Sequence, residues 1–165
     1  MVDNHPVLLK LMTNLLEKNG YQALTAEDGL TALDVLETNI PDVIFVDLIM
    51  PNIDGEKLCR IIRRMPELKD VCIIILSGIA AEHDVNFAEF GADACIAKGP
   101  FEKMGQHVLA ALTKLELGTI RDMPAEVVGL DDIRARDIAK ELLSVKRHLE
   151  TILESMAEGV LEITS

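Results

Sequence analysis

Val43-Ile-Phe-Val-Asp-Leu-Ile-Met-Pro-Asn-Ile-Asp-Gly55 sets the fold. Its first four residues are apolar without a polar alternation. Such a run suits a parallel strand covered on both faces, because a strand with one wet face alternates. Asp47 ends the run, and Pro51, Asn52, Asp54 and Gly55 are turn formers. An acid therefore stands at the carboxyl end of a buried strand. In open α/β sheets that is where ligands gather.

The same grammar repeats outward. Residues 7–19 carry Leu8, Leu11, Met12, Leu15 and Leu16 at helical spacing and stop at Asn19-Gly20. Residues 21–26 read as a short strand and 29–38 as a helix with Leu30, Leu33 and Leu36. Downstream, 56–65 is helical, and Val71-Cys-Ile-Ile-Ile-Leu76 is the strongest strand signal of the chain. A helix over 81–90, a strand over 94–97 and a helix over 101–117 follow. Repeated strand–helix units with short connections predict a parallel sheet with helices on both faces. The polar residues at the strand ends are Asp3, Asn4, Asp47, Ser77 and Lys98.

Residues 118–129 form a linker punctuated by Gly118, Pro124 and Gly129. A helix is predicted over 130–157. Ala135, Ile138, Leu142, Val145, Leu149, Ile152 and Met156 recur at alternating spacings of three and four, a coiled-coil seam. With Ala135 at heptad position a, Glu141 at g and Lys146 at the next e can pair between parallel helices. The seam could instead pack back on its own domain. Residues 159–165 read as the start of a strand.

Composition narrows the function. The 165 residues leave room for one domain and some extra structure, and 49% hydrophobic residues suffice for a core. Aromatics are 3%, so that core is aliphatic. A formal net charge of −12 and a pI near 4.7, without a Lys/Arg cluster, argue against a nucleic-acid-binding role. Cys59, Cys72 and Cys95 have no metal-like spacing and read as reduced core thiols of a cytoplasmic protein. No apolar run approaches the roughly 20 residues of a membrane span, and the opening Met1-Val-Asp-Asn-His-Pro6 lacks signal-peptide features.

Asp47-Leu-Ile-Met-Pro-Asn-Ile-Asp-Gly55 resembles the D-x-x-M-P-x-x-D-G motif of response-regulator receiver domains in two-component systems. Asp3-Asn4 stands at the family's acidic pair, Leu76-Ser77-Gly78 at its hydroxyl-bearing fourth strand end, and Ala97-Lys98 at the lysine ending the fifth. The resemblance covers residues 1–117. It implies a flavodoxin-like, doubly wound, five-stranded parallel sheet whose first strand is short or truncated. It also implies Asp47 as phospho-acceptor, assisted by Lys98 and Ser77. Mg2+ is the implied cofactor, held by Asp3, Asp47 and the Ile49 backbone carbonyl, with Asn4 a weak or indirect ligand. The chemistry agrees: a carboxylate can attack phosphorus to give an acyl phosphate, and phosphoryl transfer needs mainly positioning and charge neutralisation.

The implied partners are a histidine kinase or phosphotransfer domain as donor, a PAS- or kinase-like output domain beyond the helix, and a second copy of the chain. Residues 149–164 resemble the entry into a PAS domain, with 158–165 its first part. His148 lacks the acidic-Arg-Pro context of a kinase phospho-acceptor and reads as a solvated helix residue. The chain itself would perform only its own phosphorylation and dephosphorylation, within a parent that could be a hybrid histidine kinase. Membrane and nucleic acid are not among the implied partners, and a transcription factor would need a DNA-binding domain that the sequence does not contain.

Several positions depart from the family. Asn4 replaces the second acid. Ile96 stands where many receivers carry Tyr or Phe. Gly99 separates Lys98 from Pro100. Only Met1 and Val2 precede Asp3, where the family has a full strand; a truncated chain, a misassigned start and a very short strand all fit. These departures sustain a rival reading, a degenerate receiver that dimerises independently of phosphorylation.

Overall fold

The computed structural model describes residues 1–78, 86–120 and 127–163; within the last helix, side chains 135–137, 139, 141 and 154–163 are outside that description. The elements are α1 (Pro6–Lys18), α2 (Gly29–Thr38), β1 (Val43–Asp47), α3 (Gly55–Ile62), β2 (Cys72–Ser77), a 3-10 turn (Phe87–Phe90), β3 (Ala94–Ala97), α4 (Phe101–Glu116) and α5 (Leu130–Ile163). The strands pair in the order β1-β2-β3, all parallel, with Asp47 opposite Leu76 and Ser77 opposite Ala97.

The apolar runs are buried on both faces, and alternate residues feed two cores. Ile44, Val46, Ile73, Ile75 and Cys95 point to one side, against Ala32 and Leu36 of α2 and Leu58, Cys59 and Ile62 of α3. Phe45, Ile74, Leu76, Ala94 and Ile96 point to the other, against Met12 and Leu16 of α1 and Met104, Val108 and Leu112 of α4. Burying one such aliphatic side chain contributes about 1.5–3 kcal/mol. The three cysteines are free and buried, and burial pushes each thiol up to about 12, so they are inert core.

The sheet corrects the five-strand expectation. Residues 21–26 form no strand; of these six, Ala26 bridges Val2, which also bridges Val46. Val2 donates to Phe45 O at 2.8 Å and Asp47 donates to Val2 O at 2.9 Å, while Ala26 donates to Met1 O at 2.9 Å. The line order is thus Ala26, Val2, β1, β2, β3, with the first two lines reduced to single bridges. The reason is a lack of ladder partners. Among the described residues, Leu24 O accepts from the Met1 ammonium at 2.6 Å, but no strand bridge forms along 21–25. An open groove lined by Tyr21, Leu24, Phe45 and Leu112 lies there instead.

Other bounds shift modestly. The helix expected over 56–65 ends at Ile62, where Arg63 takes over as a clasp. Its guanidinium donates to Gly91 O and Val71 O, each at 2.7 Å, and pairs with Asp93 at 2.7 Å. Of the helix expected over 81–90, residues 79–85 lie outside the described ones and 87–90 form the 3-10 turn. Residues 159–163, expected as strand, continue α5.

Candidate functional site

The quoted stretch builds one wall of the site. Met50 tucks back into the core, and Asn52 adopts the left-handed conformation (φ 64°) that turns the chain. Asp54 caps α3 by accepting from Lys57 N at 2.9 Å. Gly55 has a steric reason: a Cβ there would overlap the Asp47 carbonyl oxygen. Any side chain at residue 55 would push α3 off the strand end that carries the acid.

Asp3 and Asp47 reach the same spot from neighbouring lines of the sheet. Lys98, just past β3, arrives from the far side. Its Nζ lies 2.6 Å from Asp3 Oδ2 and 2.9 Å from Asp47 Oδ2. The Lys98 backbone N–H donates to Ser77 O at 2.8 Å, which locks the lysine loop to the end of β2. The Ser77 side chain is fully buried at that strand end. Asp3, Asp47, Ser77 and Lys98 are therefore brought together as the sequence suggested.

The two acids differ. Asp3 is 0% exposed; its Oδ1 accepts from His5 N at 2.8 Å, and its Oδ2 touches only the Lys98 ammonium, without hydrogen-bond alignment. The side chain of Asp47 keeps 9% exposure and lies at the rim. Burial pushes the Asp47 carboxyl above its ordinary range; the Lys98 hydrogen bond and charge oppose this, and the Asp3 charge adds to it. Ile49 sits two residues on, 58% exposed, with its N–H aimed at Asp47 Oδ1 from 3.4 Å. Asn4 is exposed and takes no part in the carboxylate–lysine cluster.

The residues fit a divalent cation. Two carboxylates converge, one with a buried oxygen that accepts no hydrogen bond, and hard oxygen donors of this kind suit Mg2+. Among the described residues no group of three or more His, Cys, Asp or Glu side chains gathers into a metal cage.

Sequence reasoning missed His5. Its Nδ1 accepts from Leu8 N at 3.4 Å and caps α1, a role that could have gone to Asp3. Pro6 follows at the first helical position, and that pairing was the available signal.

Similarity to known proteins agrees with this geometry. The model of the response regulator receiver domain matches residues 1–109. The sensor histidine kinase RcsC of Escherichia coli K12 is 38% identical over 98 residues, 59% of this chain but 10% of that kinase. The alkaline phosphatase synthesis transcriptional regulatory protein PhoP of Bacillus subtilis is 29% identical over 167 residues, covering 99% of this chain and 65% of that regulator. Among solved structures, the signal receiver domain of a signal transduction histidine kinase from Syntrophus aciditrophicus superposes with a TM-score of 0.62 at 28% identity, covering 73% of this chain and 89% of that one. The family match and the convergence of Asp3, Asp47, Ser77 and Lys98 lead to one statement: the chain belongs to the response regulator receiver domains of two-component systems.

Proposed function

We propose that Asp47 accepts a phosphoryl group from a histidine kinase or phosphotransfer domain and passes the signal along α5 to an output domain. The observation that carries this reading is Lys98 Nζ within ion-pair distance of both Asp3 and Asp47. An Asp47 oxygen attacks phosphorus while the bond from phosphorus to the donor breaks. The attacking group is already a carboxylate, so no proton must be removed. The burial that raises the Asp47 carboxyl makes that carboxylate more basic and a better nucleophile. Lys98 supplies a point charge to the phosphoryl oxygens, and Ser77 lies at the adjacent strand end to hydrogen-bond them. Asp3, Asp47 and the Ile49 backbone carbonyl would hold Mg2+, which neutralises phosphoryl charge when bound. Asn4 contributes weakly or indirectly.

The test is intact mass after incubation with acetyl phosphate and Mg2+. Gain of one phosphoryl group supports the reading. No gain favours the rival, a phosphorylation-independent dimerisation module. On the main reading the chain catalyses only its own modification and its reversal. Its likeness to the RcsC kinases supports a hybrid histidine kinase as parent. The PAS-like character of residues 158–165 and a cytoplasmic location belong to the same reading. Among the described residues no helix is long and apolar enough to cross a membrane.

Restoring the second acid should strengthen Mg2+ binding. Asn4 is exposed, so the added charge acts through water, and its gain is about 1 kcal/mol, roughly fivefold in affinity. Isothermal titration of Asn4→Asp against wild type checks this; equal or weaker binding in the variant contradicts it.

The phosphorylated form should be long-lived. Ile49 offers no hydrogen bond to orient a water and some bulk to exclude it. Ile79, the matching residue beyond Ser77, lies outside the described residues. Because Ile49 is exposed, Ile49→Gln should fold normally and lose its phosphoryl group several-fold faster. A time course of intact mass after donor removal measures it, and a slower variant reverses the argument.

A further inference from the structure

The linker does not simply leave the domain. Val128 donates to Cys95 O at 2.9 Å and accepts from Ala97 N at 2.8 Å, so one linker residue occupies the outer edge of β3. Val127 packs toward one core and Val128 toward the other, as consecutive residues of a strand do. Gly129, at φ 84°, then turns the chain into α5. The first turn of α5 is seated on the domain. Asp132 Oδ2 lies 2.9 Å from His107 Nε2 of α4. Ile133 is buried, unlike the exposed apolar residues further along the helix. It lies over Gly99, where a Cβ would come 3.6 Å from Ile133 Cγ1.

These contacts fall on either side of Lys98. Ala97, before it, is hydrogen-bonded to Val128, and Gly99, after it, lies under Ile133 and Asp132. The loop has little slack: Gly99 N–H donates to Ala97 O at 3.0 Å, and Lys98 N–H is committed to Ser77 O. Gly99, the residue inserted between Lys98 and Pro100, leaves the space that the helix start approaches.

We propose that residues 127–133 form a strap across the β3 edge and the lysine loop, and that phosphorylation of Asp47 loosens it. The inference rests on Asp47 accepting a phosphoryl group. Lys98 now pairs with two bare carboxylates; an added phosphoryl group gives it a new partner further out from the strand. The lysine backbone follows, and its two neighbours carry the shift to Val128 and Ile133. The strap is the bistable element, and α5 beyond it is freed to change direction.

The experiment is amide hydrogen exchange on the full chain, before and after acetyl phosphate with Mg2+, with intact mass read on the same samples. Val128 and Ala97 amides should exchange about fivefold faster or more once Asp47 is modified. By reciprocity, unseating the strap should favour the modified state, so Ile133→Ala should bind the phosphoryl mimic beryllofluoride more tightly by a similar factor. Val128→Pro removes the donor to Cys95 O from the β3 edge, and it serves as a second variant should Ile133→Ala misfold. Full phosphorylation by mass with unchanged or slower exchange at Val128 and Ala97 overturns the strap and leaves Asp47 as acceptor. Unchanged beryllofluoride affinity in the variants does the same. No mass gain at all overturns both.

Discussion

Asp47→Asn should abolish the phosphoryl adduct that the wild-type chain gains from acetyl phosphate and Mg2+. The expected loss is complete because, among the described residues, the neighbouring acids cannot substitute. Asp3 is fully buried, with its oxygens turned to His5 N and Lys98, so a donor cannot reach it. Asp54 is tied to the start of α3 and to Lys57 Nζ at 2.6 Å. Among the described residues, the Asp47 side chain alone combines strand-end position, some exposure and contact with Lys98. An adduct retained by the variant at the wild-type level would remove Asp47 from the mechanism.

The same variant carries its own folding control. Burial raises the Asp47 carboxyl above its ordinary 3.8. A carboxyl raised on folding binds its proton more tightly in the native state. The stabilisation this gives is full below 3.8 and is lost as pH rises through the native value. At neutral pH the buried charge therefore opposes folding. Asp47→Asn removes that charge, keeps the shape and leaves Lys98 paired with Asp3. Its melting temperature should equal or exceed wild type at pH 7, with the advantage shrinking toward pH 3.8. A variant that melts well below wild type at neutral pH would mean that the Lys98 pairing outweighs burial.

The second large effect concerns α5. We expect the full chain to be a parallel dimer and Leu142→Asp to break it. Ile138, Leu142, Val145, Leu149 and Ile152 are 39–65% exposed on one chain, although each is a large apolar side chain. A contiguous stripe of that kind on a monomer is unusual and marks an interaction surface. Pairing with a second copy at heptad spacing buries it. The remainder of the seam, Ala135 and Met156, and the Glu141 partner of Lys146 lie among the side chains outside the description; in this chain Lys146 is 3.7 Å from Glu150. A carboxylate placed in the seam must be desolvated without a partner, which costs about 3 kcal/mol or more, a hundredfold or greater weakening. Light scattering should give twice the chain mass for wild type, and the monomer mass for Leu142→Asp and for a chain ending at Leu117. Leu at a with Val145 and Ile152 at d is not the ideal two-stranded pattern, so three or four chain masses would correct the stoichiometry. Monomers throughout at tens of micromolar, or a dimer that survives Leu142→Asp, contradict the pairing.

The sequence by itself determined the strands that have neighbours on both sides. Val43–Asp47, Cys72–Ser77 and Ala94–Ala97 were legible because two-sided burial demands an uninterrupted apolar run. The helices were legible from their 3.6-residue period, and Asp47 from the turn chemistry that follows it. The four site residues could be named because each ends or begins an apolar run. Tertiary structure decided everything that depends on a partner far along the chain. Residues 21–26 have strand composition, yet pairing is supplied by other segments, and among the described residues a bridge forms at Ala26. Gly55 looked like a turn former; its reason is the Asp47 carbonyl, which occupies the place where a Cβ would stand. The edge bridge of Val128 and the His107–Asp132 contact left no periodic signal, because a single bridged residue and a pair 25 positions apart impose no pattern. Periodicity records which face of an element is dry. It does not record which distant element makes that face dry, and here that element turned a linker into part of the sheet.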